Sequence, residues 1–195
     1  MFHPFTDVRF IREEIGLGVV ATRRLPRGTV VWVADPLDLS VSEAERDALH
    51  PLYQSALQRF GYRDEHGRWW VSWDHGRYVN HSCDANTLCG AHGFSVVTRD
   101  IEAGEEVTED WAWNNRDLGV PCRCGAAACR GRVTRSDGHA RLAQWERAMR
   151  EVYPRVLEVE QALWDLVADK DLLRDELSGA RPLATYAPLL MPLEG

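Results

Sequence analysis

Four of the five cysteines in this 195-residue chain are grouped as metal ligands would be. Cys122, Cys124 and Cys129 lie in one short loop rich in Gly and Ala, and Cys83 directly follows the segment Asn80–Ser82. Four thiolates suit one tetrahedral Zn²⁺, and a closed four-sulfur shell is structural rather than catalytic. Because the loop has little apolar sequence of its own, metal binding would supply the free energy that folds it. Two separate sites or a redox pair are the alternatives.

The N-terminal segment and the cysteine usage both bear on the cellular compartment. The segment Met1–Asp7 has no basic stretch followed by an apolar one, so a secretory signal peptide is not predicted. Cysteines in such a chain are expected as metal ligands or thiols before disulfides, and Cys89 is expected to be a small buried apolar residue. We therefore predict a cytoplasmic protein. No apolar run approaches the ~20 residues of a membrane span, so no membrane association is predicted.

The overall charge restricts the classes of partner. The formal net charge is −7, and the contents of 27% charged and 45% hydrophobic residues are ordinary for a soluble globular protein. Non-specific binding to the phosphate backbone depends on clustered Lys and Arg, so direct nucleic-acid binding is not expected. A basic protein or peptide is the partner that this charge favours.

Three further segments resemble the motifs of one protein family. The two glycines of Gly16–Thr22 allow close backbone approach to a ligand, because neither has a side chain. The segments Arg77–Cys83 and Asp100–Thr108 follow in the order and separation found in the SET-domain family. SET-domain proteins transfer methyl groups from S-adenosylmethionine, mostly to lysine amines. The resemblance covers about residues 8–133 and is to a small member of the bacterial type.

The resemblance implies roles for particular residues. It places Cys83 with the three loop cysteines Cys122, Cys124 and Cys129 on one structural zinc ion. It also implies S-adenosyl-L-methionine as the cofactor, with the backbone of the Gly-containing segment holding the methionine part. The residues expected to bind this cofactor are Gly16, Leu17, Gly18, Arg77, Tyr78, Asn80, His81 and Trp111.

Two positions depart from the family pattern. Trp111 stands where SET-domain proteins place their catalytic tyrosine, and its indole nitrogen can donate but cannot accept a hydrogen bond. Glu109 stands where the family commonly has an aromatic residue that sets how many methyl groups fit. A carboxylate there could pair with a cationic substrate or accept its proton, or it could face solvent from an edge strand. The nearest tyrosines in sequence are Tyr53, Tyr62 and Tyr78, and the expected catalytic residues are Trp111, Glu109 and Tyr78.

Short strands and turns are predicted to hold these motifs. The β-rich residues 8–41, broken by turn residues, predict a small antiparallel sheet. The capping-box spacing of Ser42 and Glu45 predicts a helix that ends near Gly61 and is disturbed in its middle by Pro51. Further strands are predicted at Arg68–Trp73, Phe94–Thr98 and Glu106–Thr108.

The pattern becomes helical from Asp137 onward. Apolar residues between Leu142 and Leu177 recur at alternating three- and four-residue steps, and Gly179 is placed to end the helix. Pro154 should kink or split this segment, because it removes a helical hydrogen bond. The stripe either packs on the chain's own sheet or forms the seam of a homodimer. The tail, residues 181–195, is expected to be extended.

Together these features predict a mostly β protein. The expected architecture is a SET fold of small antiparallel sheets with a pseudoknot-like crossing, plus a C-terminal helical extension. The predicted divisions are a SET domain at 8–115, a post-SET zinc loop at 116–133, a helical extension at 134–179 and an extended tail at 180–195.

The resemblance implies a SET-type methyltransferase that uses S-adenosylmethionine and acts on an amine, with protein lysine as the default acceptor. Two other functions stay open. A tailoring enzyme for a small-molecule amine would account for Trp111, Glu109 and the short region between Val33 and Trp69, which leaves little surface for a peptide groove. A cofactor-binding or interaction module without catalysis would account for the missing tyrosine.

Overall fold

The computed structural model of the protein describes residues 1–116 and 121–193. Strands were expected in the first part of the chain and helices in the last, and the described residues have that order. The strands are β1 (Thr6–Arg12), β2 (Gly16–Ala21), β3 (Val30–Val33), β4 (Leu39–Val41), β5 (Tyr62–Arg63), β6 (Trp69–Val71), β7 (Asn80–His81), β8 (Thr87–Cys89), β9 (Phe94–Val97) and β10 (Glu106–Glu109). The helices are α1 (Glu43–Ala48), α2 (Pro51–Phe60), α3 (Arg135–Val156) and α4 (Lys170–Leu177).

Three small sheets confirm the predicted mostly β fold of the SET type. Their strand orders are β1-β2-β10-β7, β3-β9-β8 and β4-β6-β5. In the first sheet β10 pairs antiparallel with β2 and parallel with β7. Thr108 lies opposite Asn80 and Glu109 lies opposite His81. The sheet therefore brings together two motif segments that are distant in the sequence.

The helical region between β4 and β5 is two helices rather than the single predicted one. The predicted capping box is present: the Ser42 amide donates to Glu45 Oε2 at 2.7 Å, and the Glu45 amide donates to Ser42 Oγ at 3.3 Å. Pro51 begins α2, because proline fits the first helical position but interrupts a helix interior. His50 caps this second helix with its ring nitrogen.

The C-terminal apolar stripe packs on the chain's own sheet. Buried side chains of α3 and α4 share one core cluster with Val30, Val33 and Phe94 of the β3-β9-β8 sheet. Helix α3 contains Pro154 and ends two residues later, and a 3₁₀ turn at Trp164–Leu166 precedes α4. The stripe is therefore not one continuous helix, while the homodimer stays a prediction. Among the described residues, no helix has the length and apolar composition that crossing a membrane requires.

The tail does not run freely over the surface, as an extended segment would. Tyr186 and Leu190 are buried, and residues 187–189 form a 3₁₀ turn. Asn115 fastens this tail to the sheets, because its Nδ2 donates to Leu189 O and its Oδ1 accepts from the Met191 amide, both at 2.8 Å. Residues 194–195 of the predicted tail and 117–120 of the predicted zinc loop lie outside the described residues.

Candidate active site and metal cluster

Three of the four predicted zinc ligands lie together. The ligand atoms of Cys83, Cys122, Cys124 and His81 are all within 4.8 Å of one another, and the Cys83 and Cys122 sulfurs are 3.9 Å apart. This cluster could hold a metal ion. Cys129 stands beside it at the exposed side: its sulfur is 3.9 Å from the Cys122 carbonyl oxygen. Cys89 is buried elsewhere, as expected of a small apolar residue.

The loop that carries the cysteines is closed by backbone hydrogen bonds. The Cys122 amide donates to Gly131 O at 2.8 Å, and the Cys129 amide donates to Ala126 O at 3.0 Å. Burial raises the pKa of Cys122. For Cys124 burial acts in the same direction, but hydrogen bonds from the backbone and from neighbouring thiols outweigh it and lower the pKa to about 7. A thiol with such a pKa is readily available as a thiolate ligand.

Arg130 connects this cluster to the segment that precedes Trp111. Its amide and its Nε both donate to Cys83 Sγ at 3.3 Å, and its Nη2 donates to Asp110 Oδ1 at 2.5 Å. Arg141 pairs with the other oxygen of the same carboxylate at 2.8 Å. Asp110 is buried between these two guanidinium groups, which compensate its charge. The cysteine loop and the end of β10 are thereby held as one unit.

His81 lies between the cluster and Trp111. Its Nδ1 accepts a hydrogen bond from the Trp111 backbone amide at 3.2 Å, and its Nε2 is 3.3 Å from Cys83 Sγ. Burial lowers the pKa of His81, an effect that Asp110 partly opposes, so the ring is neutral at pH 7. Because Nδ1 accepts, a neutral ring carries its single proton on Nε2, which faces the Cys83 sulfur and lies 3.5 Å from Arg130 Nη2. The side chain predicted to contact the cofactor thus has both nitrogens engaged within the protein.

The glycine segment and Asn80 are joined by a hydrogen bond. Asn80 Nδ2 donates to Leu17 O at 2.9 Å and to Glu106 Oε1 at 2.7 Å. A Cβ on Gly18 would lie 2.5 Å from Glu106 Oε1 and 2.7 Å from Asn80 Nδ2, so a larger residue would displace these two side chains. Gly16 has a φ of +85°, and no atom would lie within 4 Å of a Cβ placed on it. The space beside Gly16 is therefore open to a ligand.

The structure contains a cavity of about 770 Å³ whose lining includes residues of β3, α2, β5 and β10. Arg77 and Trp111, two residues predicted to bind the cofactor, line it. Tyr78 packs instead with the apolar cluster of β2 and β3, where its ring is 5.8 Å from that of Phe60. Tyr78 is therefore not among the residues that line the cavity, where its expected catalytic role would require it to be.

Glu109 lines the cavity and does not face solvent from an edge strand. Its strand, β10, lies between β2 and β7, so the edge-strand interpretation is wrong. Ser95 Oγ donates to Glu109 Oε1 at 2.8 Å. Burial raises the pKa of Glu109 to about 7, although the hydrogen bond from Ser95 opposes the change. A carboxyl group with this pKa can both accept and release a proton near neutral pH.

Comparison with known proteins agrees with the resemblance to SET-domain proteins. Residues 16–111 match the family model of the SET domain. Residues 16–111 are therefore a SET domain. The chain is 41% identical over 66 residues to the histone-lysine N-methyltransferase ash1 of Drosophila melanogaster, a match covering 28% of this chain and 3% of that protein. It is 33% identical over 73 residues to the histone-lysine N-methyltransferase TRX1 of Oryza sativa, covering 34% and 7%.

The chain thus spans only a small part of the length of these relatives. Among solved structures, the methyltransferase domain of the human histone-lysine N-methyltransferase SETMAR is 20% identical, with a TM-score of 0.45. That match covers 68% of this chain and 58% of the other.

In this SET domain Trp111 lines the cavity, and both of its N–H groups donate hydrogen bonds within the protein. Its backbone amide donates to His81, and its indole Nε1 donates to Val79 O at 3.2 Å. The ring is tilted against the His81 ring at a centroid distance of 6.0 Å. The indole donor considered from the sequence is therefore already used within the protein.

The SET domain has a tyrosine on the cavity wall that no sequence motif indicates. Tyr62 belongs to the two-residue strand β5, and its ring centroid is 5.2 Å from Trp113 and 6.5 Å from Trp32. Burial raises the pKa of Tyr62, so the hydroxyl stays protonated at neutral pH. Ser95, the partner of Glu109, was also not anticipated. In the sequence, only the strand pattern around Ser95 indicates that its side chain could face the same side as that of Glu109.

Proposed function

We propose that this protein transfers methyl groups from S-adenosylmethionine to an amine, with the lysine side chain of a protein or peptide as the default acceptor. One observation carries the proposal: a single cavity is lined by Arg77 and Trp111 of the expected cofactor segments and by the carboxyl group of Glu109. The relatives named histone-lysine N-methyltransferase support an amine as the acceptor.

The residues of the glycine segment suit the expected cofactor. When bound, S-adenosylmethionine supplies a methyl group on a positively charged sulfur. The Leu17 carbonyl is held in place by Asn80, and the open space beside Gly16 leaves backbone groups accessible. Leu17 and Arg77 are exposed. The Leu17 side chain would cover a bound ligand, and the Arg77 guanidinium group would pair with its carboxylate. These residues bind and orient; none of them needs to change its charge.

The cavity residues suit an amine. Aromatic side chains of Trp32, Tyr62, Trp111 and Trp113 line it, and aromatic faces attract cations. An ammonium group must lose one proton before its nitrogen can form the new bond to carbon while the sulfur–carbon bond breaks. Glu109, with a pKa of about 7, is the group that accepts this proton. Aligning the amine in such a confined site is the main contribution a protein can make to this reaction.

For the cysteine cluster we propose a structural zinc ion bound by Cys83, Cys122, Cys124 and Cys129. His81 lies within reach of the first three, but the proton on its Nε2 makes it a donor to Cys83 sulfur rather than a ligand. Cys129 is close enough to Cys122 and Cys124 to affect the pKa of each. Four thiolates complete a closed site, which would fasten the loop next to Trp111.

The experiment that tests the function measures methyl transfer by mass spectrometry, with S-adenosylmethionine and lysine-containing peptides as substrates. We expect a mass increase of one or more methyl groups on the peptide. Glu109→Gln keeps the size of the side chain and removes the proton acceptor, so the rate should fall. Calorimetry of cofactor binding separates the rival functions, because binding without transfer to any amine would indicate a cofactor-binding module.

A further inference from the structure

The charges around the cavity are opposite to the charge of the whole chain. The chain has a formal charge of −7, yet Glu109 is the one acidic residue among the described residues that line the cavity. Five arginines share that lining: Arg59, Arg63, Arg77, Arg116 and Arg135. A ligand in this cavity therefore shares it with several positive groups and, among the described lining residues, one carboxyl group.

Two of these arginines are partly buried around one tryptophan. The guanidinium carbons of Arg116 and Arg63 are 5.2 Å and 5.7 Å from the Trp69 ring centroid. Within the described part of the chain, the hydrogen bonds of Arg116 go to the carbonyl oxygens of Gly61 and Gln58, which bring no negative charge. Burial, together with repulsion from Arg63, lowers the pKa of Arg116 to about 10.

The compensating negative charge near this pair is small. Arg63 pairs with Glu43 Oε2 at 3.2 Å, and the same Glu43 also pairs with Arg46 at 2.7 Å. Arg46 also pairs with Asp47, so Glu43 serves mainly Arg63, and no carboxylate among the described residues pairs with Arg116. An uncompensated guanidinium group at a cavity wall favours a bound carboxylate or phosphate, which it can contact through two N–H groups.

We infer that the acceptor carries a carboxylate or phosphate group beside its amine, so that the amine reaches Glu109 while the anion stays with Arg59, Arg63 and Arg116. This inference rests on the proposed function. The three arginines belong to α2, to β5 and to the segment after β10, outside the segments expected to bind the cofactor. A peptide rich in Lys and Arg, which the net charge alone would favour, is repelled by these arginines.

The test compares labelled peptides of equal length that carry one central lysine flanked by Glu, Ala or Arg. Their affinities for the full chain are measured by fluorescence anisotropy without S-adenosylmethionine, so that binding is separated from turnover. We expect the Glu-flanked peptide to bind on the order of ten-fold more tightly than the Arg-flanked one. The preference should weaken as salt concentration rises, because ions screen exposed charges.

Matched variants assign the preference to the cavity. Arg59→Gln with Arg63→Gln should remove it, and Arg59→Gln alone, at an exposed position, should reduce it. Arg147→Gln with Arg150→Gln removes the same charge from the exposed side of α3 and should leave the preference unchanged. Competition by free lysine at comparable concentration would identify a small zwitterion as the source of the anion, and its failure would identify an acidic peptide segment.

Equal affinity for the three peptides, or tighter binding of the Arg-flanked one, would overturn this inference even if lysine is methylated. Acid-selective binding without methyl transfer would instead sink the proposed function and leave the charge selectivity standing. The two failures are therefore distinguishable in one set of measurements.

Discussion

The backbone amide of Trp111 donates a hydrogen bond of 3.2 Å to Nδ1 of His81, whose other nitrogen faces the Cys83 sulfur. This relationship joins the cysteine cluster to Trp111, which is predicted to be a catalytic residue. A change in the cluster is thus transmitted to Trp111 through one buried imidazole ring.

Replacing His81 with Ala should destabilise the fold without emptying the metal site. The Trp111 amide would lose its partner in a buried position, which costs about 1–3 kcal/mol. Thermal unfolding measures the loss, and zinc analysis should find the metal content unchanged. If His81→Ala lost the metal, His81 would be a ligand and the tautomer argument would be wrong.

Replacing Cys129 with Ser should lower the zinc content of the purified protein, because three thiolates leave the tetrahedral site open. Chelation of the parent protein should lower its melting temperature, since metal binding helps to fold the loop. Cys89→Ser, a buried cysteine away from the cluster, is the control and should keep its zinc. A parent melting curve unaltered by chelation would contradict the structural role.

Methyl transfer should depend on pH through Glu109. The ionised carboxylate accepts the proton, and its pKa is about 7, so the rate should rise as pH increases through 7. Glu109→Gln should lower the rate roughly 10²–10⁴-fold and remove this rise. A variant with the parent pH profile would exclude Glu109 as the acceptor.

The same pKa sets the sign of a stability change. Burial raises the pKa of Glu109 in the folded chain above that of the unfolded chain, so the folded state binds the proton more tightly. The stabilisation is complete below the unfolded pKa and is lost as pH rises through about 7, at a cost on the order of 3 kcal/mol. Denaturant unfolding of Glu109→Gln should lack this fall.

Replacing Asn80 with Ala should weaken binding of S-adenosylmethionine, because the Leu17 carbonyl loses the group that holds it. We expect a loss of roughly ten-fold or more in affinity by calorimetry. Asn80→Asp has nearly the same shape but places a carboxylate beside Glu106, so it should bind at least as weakly. Unchanged affinity in both variants would make this segment structural only.

Replacing Trp111 with Tyr should increase lysine methylation if Trp111 lines the methyl-transfer channel. A phenol oxygen can accept a hydrogen bond, which the indole cannot, and one positioned polar group typically changes a rate on the order of 10²–10³-fold. Steady-state kinetics on one lysine peptide measures the gain. A variant no faster than the parent would leave the channel assignment without support.

Much of the local structure could be read directly from residue types. The Ser42–Glu45 capping box and the helix start at Pro51 depend on short-range chemistry. The division of the predicted helix at Pro51 follows from the same rule, although the sequence indicated only a disturbance there.

Other features depend on which segments meet. Glu109 faces a cavity because β10 lies between β2 and β7. The alternating pattern of a strand shows which residues share a face, but it does not show which face lines a cavity. Tyr62 and Arg116 reach that cavity from segments with no motif of their own. His81 was assigned to the cofactor, but its two ring nitrogens are engaged by Trp111 and Cys83.

The resemblance of short motifs was enough to identify the SET domain and the departure at Trp111, and residue spacing was enough to group the cysteines. Contacts between segments far apart in the chain decided three other features. These are the orientation of Glu109 into the cavity, the hydrogen-bond partners of His81 and the arginines that line the cavity. The reason is physical: hydrogen-bonding capacity and ligand type belong to single residues, whereas burial, charge balance and pKa belong to the surroundings that packing creates.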